Sequence, residues 1–133
     1  MTTMPEPKKQ ILAVMTDLFF SVKIMDAAKK LGMTVEFLKD KDTVLDKVKA
    51  HPAVVIFDLN CDAADPIDLI QRIKSDPATK AVSTIGFISH VQIDLKLRAQ
   101  QSGCDVVVAR SVFAQTLPGI LSRYATAETA ARS

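Results

Sequence analysis

Three residues that close apolar runs carry the chemistry this sequence offers. Asp58 follows AVVIF, Ser89 follows STIGFI, and Arg110 follows DVVVA. A carboxylate held at the end of a buried strand serves as a nucleophile or ligand, or caps the next loop by accepting its amides. A serine supplies a hydroxyl donor, and an arginine supplies a fixed positive charge suited to bidentate binding of phosphate or carboxylate. The three together fit a site that forms or senses a phosphorylated aspartate. Asp17 and Asn60 are the further polar candidates, one just past the first apolar run and one two residues beyond Asp58.

The elements that must bring these residues together are legible as a repeat. A short run rich in Val and Ile is followed by ten to seventeen residues of helical character, which is the pattern of βα units. Strands are expected at residues 10–15, 34–38, 53–57, 83–88 and 105–109, none of which contains proline. The third and fifth are continuously apolar, as suits parallel strands covered on both faces.

Helices are expected from Asp17 or Leu18 to 31, with Leu18, Val22, Met25 and Ala28 as the buried stripe and Gly32 as the stop. The second covers 42–50 and ends at His51-Pro52. A third opens with Asp65 as cap and Pro66 in the first turn. The fourth, 92–102, turns Ile93 and Leu97 inward and ends at Gly103. The last lies near 112–127 with Phe113, Leu117, Ile120, Leu121 and Tyr124 on one stripe, and Pro118 asks for regular helix to begin only around Thr116. Residues 1–9 are expected to be flexible, 10–125 to form one domain, and 126–133 to fray. Right-handed crossovers then give a three-layer α/β/α sandwich, a doubly wound parallel (βα)5 sheet. In the flavodoxin-like strand order 2-1-3-4-5, ligands sit at the strand carboxyl ends near the switch between strands one and three. That edge holds Thr16, Asp17, Asp58, Leu59 and Asn60.

Composition removes other classes. With 48% hydrophobic residues among 133, the chain is too apolar for disorder, and no apolar run approaches a membrane span. A formal charge of +2, no Trp and 5% aromatic residues leave no basic or stacking face for nucleic acid. The four glycines are too scattered for a phosphate-cradling loop. Cys61 and Cys104 show no CxxC and no metal-ligand spacing, so both are expected to be packing thiols in a reducing, cytoplasmic compartment. His90, beside Ser89, reads as a solvated loop histidine, and the alternating charges of 39–49 as a solvated helix face.

Across residues 9–125 the chain resembles the receiver domain of bacterial two-component response regulators. KQILAVMTD resembles the first receiver strand and VVIFDLN the third, with Asp58 at the phospho-accepting position and Asn60 where the family offers a backbone carbonyl to magnesium. IKSDPATKAVSTIGFIS follows the run into strand four, which implies that Ser89 contacts the phosphoryl group. SGCDVVVARS resembles the stretch ending in the family's Lys-Pro, with Arg110 at the lysine and Ser111 at the proline.

Departures accompany the match. The paired acidic residues after the first receiver strand correspond to Met15 and Thr16, leaving Asp17 as the acidic neighbour, so the metal set reduces to Asp17, Asp58 and Asn60. Magnesium prefers several hard oxygen ligands, and this set is poor. Asp58 is then free to pair with Arg110 in a neutral, metal-free site. The switch aromatic of strand five corresponds to Val107.

The resemblance implies a stand-alone, non-enzymatic, cytoplasmic receiver-like module acting by protein contact, with magnesium-dependent phosphorylation of Asp58 impaired and no cofactor beyond any magnesium the site still holds. Its implied partners are a histidine kinase, an output protein, or a second copy through the face of helix four, strand five and helix five, and neither nucleic acid nor membrane. The alternatives are a receiver still phosphorylated at Asp58 by a histidine kinase, and a haloacid-dehalogenase-like phosphotransferase. The second would read Asp58-Leu59-Asn60 as its strand-end motif but lacks that motif's second aspartate. A flavin-binding reading fails because TDLFF is no phosphate cradle.

Overall fold

A computed structural model describes residues 9–89 and 92–125. Residues 1–8 of the expected flexible start, the expected frayed tail and His90 fall outside them. Within them the chain alternates strand and helix: β1 (Gln10–Val14), α1 (Leu18–Lys30), β2 (Thr34–Leu38), α2 (Lys41–Lys47), β3 (Val54–Asp58), α3 (Pro66–Ser75), β4 (Ser83–Ile88), α4 (Ile93–Gln101), β5 (Val106–Ala109) and α5 (Arg110–Ala125). Short 3-10 turns at Val48–Ala50 and Asp62–Ala64 close α2 and precede α3. All five strands are parallel, in the order β2-β1-β3-β4-β5. The three-layer doubly wound sandwich with strand order 2-1-3-4-5 is therefore the observed fold.

Side-chain alternation along the strands divides the interior into two cores. Leu12, Val14, Val55 and Phe57 face α2, α3 and α4, where Val44, Leu69, Ile70, Ile73 and Ala99 are buried. Ile11, Ala13, Val54, Ile56, Ile85 and Phe87 face α1 and α5, against Phe20, Ile24, Ala27, Phe113, Leu117 and Leu121. Every side chain from Ile11 to Val14 and from Val54 to Phe57 is fully buried, which is why these runs carry no polar residue.

Four local expectations are corrected. On α1 the buried stripe is Phe20, Ile24, Ala27 and Ala28, whereas Leu18, Val22 and Met25 are exposed. The sequence LFFSVKIM is apolar on two faces, and the edge-to-face packing of Phe20 on Phe87 and Phe113, with ring centroids 4.8 and 5.6 Å apart, selects between them. On α4, Ile93 and Leu97 point outward, and Leu95 and Ala99 meet the sheet instead. Asp65 precedes Pro66 as expected but caps nothing with its side chain, which accepts from Lys41 Nζ at 3.2 Å. Finally, α5 starts at Arg110, with no loop after β5, and continues through Pro118. The proline removes one intrahelical donor, and the buried Phe113, Leu117 and Leu121 on either side hold the helix to the sheet across that gap.

Candidate functional site

The carboxyl ends of β1, β3, β4 and β5 set Asp17, Asp58, Ser89 and Arg110 around one edge of the sheet. Asp17 is the N-cap of α1: its Oδ1 accepts the Phe20 N–H at 3.1 Å. Asp58 is the last residue of β3, paired in register with Phe87 of β4. Its Oδ1 accepts the Asn60 N–H at 2.9 Å, which turns the chain away from the strand.

Asn60 joins two loops. Its Oδ1 accepts the Ser89 N–H at 2.9 Å, and its Nδ2 donates to Gln92 Oε1 at 2.6 Å. The side chain therefore holds the end of β4 and the entry to α4 against the loop that carries Asp58. The backbone reinforces this, since the Leu59 N–H donates to the Phe87 carbonyl at 3.0 Å. Gly86 leaves room for the buried Leu59 side chain to lie against β4.

Arg110 does not pair with Asp58. Its Nη2 donates to Asp17 Oδ2, and its guanidinium lies over the Phe20 ring, 5.1 Å from the centroid. The physical reason is placement. Because α5 begins at Arg110 itself, the side chain leaves beside the first turn of α1, where Phe20 supplies a π face and Asp17 the nearest carboxylate. Asp58 feels the guanidinium at longer range. Burial pushes the Asp58 carboxyl above its ordinary value, and the Asn60 amide and the Arg110 charge offset part of that rise.

The donor set does not fit magnesium. Both Asp17 oxygens are engaged, one by a backbone amide and one by Arg110, and Asp58 Oδ1 holds Asn60. The Asn60 carbonyl accepts the Asp62 N–H at 3.1 Å and its side-chain oxygen accepts Ser89. A divalent ion here would have to displace these partners beside a guanidinium. Among the described residues no group of three or more His, Cys, Asp or Glu is arranged to hold a metal ion. Both cysteines are free and buried, and burial raises the Cys104 thiol, so neither belongs to this edge as a reactive group.

Sequence reasoning named Asp17, Asp58, Asn60, Ser89 and Arg110, and all five lie on this one edge. It missed Phe20, which carries the Arg110 guanidinium, and Gln92, which takes the Asn60 amide. Phe20 had a signal in retrospect, since an aromatic three residues after an N-cap faces whatever the cap faces. Gln92 had none.

No family model matches this sequence, and no curated protein matches it. Solved structures do. The phosphorylated cyanobacterial phytochrome response regulator RcpA superposes with a TM-score of 0.77 at 18% identity, over 89% of this chain and 94% of its own. A response regulator from Hahella chejuensis gives 0.79 at 18% identity, over 88% and 95%. The chemotaxis response regulator CheY4 of Vibrio cholerae gives 0.74 at 18% identity, over 89% and 99%. The chain thus has the CheY-like fold of response regulator receiver domains. Among the described residues no helix is long and apolar enough to cross a membrane.

Proposed function

We propose that this chain is a cytoplasmic receiver-like signalling module of the two-component type, which works by protein contact and neither catalyses a reaction nor uses magnesium-dependent phosphorylation of Asp58. The observation that carries this reading is the Asp17–Arg110 ion pair. In a receiver the metal neutralises charge between the acidic residues and the incoming phosphoryl group. Here a guanidinium tethered to the fold already neutralises the acidic neighbour, and Asn60 already occupies the Ser89 amide. The acidic neighbour and the Ser89 amide are thus satisfied without a ligand.

Contact with a kinase, an output protein or a second copy is assigned to the face of α4, β5 and α5. Ile93 is 69% exposed there, Leu97 and Val112 are also exposed, and a groove of about 240 Å3 runs between α4 and β5, lined by Ile88, Lys96 and Val107 among others. A contiguous exposed apolar patch of this kind marks an interaction site more often than scattered single residues do.

A second reading, a working phospho-acceptor, is favoured by one observation: Asp58 Oδ2 and the Ser89 hydroxyl have no partner among the described residues. One experiment separates the two. The protein is incubated with acetyl phosphate and magnesium and weighed intact. The proposed function expects the unmodified mass, whereas a substantial phospho-adduct that vanishes in Asp58→Asn establishes the second reading.

A further inference from the structure

Between the first turns of α1 and α5 lies a cleft of about 560 Å3, within the usual range of small-molecule sites. Its walls are Phe19, Phe20, Ser89, Ser111 and the side chains of Lys23 and Arg110. Phe19 is 87% exposed, a large aromatic standing at the rim with nothing packed over it.

The charge balance of the cleft is one-sided. No carboxylate lines it among the described residues. Asp17 reaches Arg110 from outside these walls and takes only Nη2, so the remaining guanidinium donors stay available. Lys23 makes no ion pair with any described residue, and the hydroxyls of Ser89 and Ser111 have no hydrogen-bond partner among them. Two cations and two free hydroxyls therefore surround a floor of aromatic and aliphatic carbon. Burying a ring against that floor is favourable in proportion to the apolar area it removes from water, and an anionic head beside it finds charge-assisted donors.

We infer that this cleft binds a small amphipathic anion, an aromatic carboxylate being the best-matched class, with its ring against Phe19 and Ala114 and its carboxylate between Lys23 and Arg110. The ligand would bridge α1 and α5 next to the Asn60–Ser89 contact, giving the module a small-molecule input at the edge where a receiver takes a phosphoryl group. This inference is independent of whether Asp58 accepts phosphate, because the intact-mass result and ligand binding are read separately.

The test is an amide NMR titration of the full chain with naphthoate, naphthalenemethanol and inorganic phosphate. Naphthoate is expected to shift the amides of Lys23, Ser89, Arg110 and Ser111 saturably, and Lys23→Gln to weaken it by about tenfold, the loss of one hydrogen bond to a charged group. Ser111→Trp, which fills the cleft from an exposed position, should abolish the shifts, while Lys29→Gln on the same helix leaves them unchanged. Absence of shifts at these amides up to about 10 mM overturns the inference. Equal binding of naphthalenemethanol reduces the cleft to an apolar patch and overturns it, as does phosphate binding as tightly as naphthoate.

Discussion

Arg110, the first residue of α5, donates to Asp17, the cap of α1, so one ion pair ties together the two helices that cover the same face of the sheet, beside Asp58. The pair is half-buried, with side-chain exposures of 38% and 27%. It closes a span of 93 residues in sequence and fixes where the guanidinium points. The functional reading rests on this contact.

Arg110→Ala removes the ion pair and the contact with Phe20 and should cost about 1–2 kcal/mol in urea unfolding. Asp17→Asn keeps a capping oxygen for the Phe20 amide and removes only the charge, costing about 0.5–1 kcal/mol. The double variant should show a coupling of about 0.5–1 kcal/mol. Strict additivity would mean that the pair holds nothing in solution.

Asn60→Ala leaves the Ser89 N–H and the Gln92 side-chain Oε1 without their partner. We expect a stability loss of about 1 kcal/mol and faster hydrogen exchange at Ser89 than at Ile85 in the middle of β4. Exchange at Ser89 that does not change on substitution would contradict the role given to the asparagine as the tie between the two loops.

Asp58 gives a pH dependence whose sign is fixed by its raised carboxyl. The folded protein binds this proton more tightly than the unfolded chain does, so the associated stability is present below the ordinary aspartate value of 3.8 and is lost as pH rises through the higher native value. Asp58→Asn keeps the acceptor for the Asn60 amide and cannot ionise. It should be more stable than the natural protein at pH 7, with the difference shrinking on acidification. A variant less stable at pH 7 would show that the ionised carboxylate is better solvated than its burial implies.

Gly86→Ala would put a methyl carbon 2.8 Å from Leu59 Cδ1 and 3.0 Å from its Cγ. Leu59 is buried and has little room to yield, so the cost should be about 1–3 kcal/mol in urea unfolding. The same substitution at Gly119, where nothing lies within 4 Å of the added carbon, should be neutral or slightly stabilising. Equal effects at the two glycines would contradict the packing of Leu59 on β4.

The sheet was legible because its strands are buried on both sides and must be apolar throughout: residues 34–38 and 83–88 match β2 and β4 to the residue, β1 and β5 differ by one at an end, and β3 is shifted by one residue. Helix facing was less so. On α1 the apolar residues cover more than half the circumference, and only the long-range aromatic cluster with Phe87 and Phe113 decides which face goes inward. On α4 the spacing of Ile93 and Leu97 is that of a core stripe, yet their exposure belongs to a surface the fold leaves open. The membership of the candidate site followed from strand ends alone. The partner of Arg110 did not, because two carboxylates stood at neighbouring strand ends, and the choice was made by the absence of any loop between β5 and α5.

A guanidinium stands where a metal would be needed, and a magnesium titration followed at the amides of Asp17, Asp58 and Asn60 tests this most directly. The natural protein should show no saturable shifts there up to about 10 mM magnesium, while Arg110→Ala, which frees the Asp17 carboxylate, should show them. Saturable binding by the natural protein at these three amides would contradict the account.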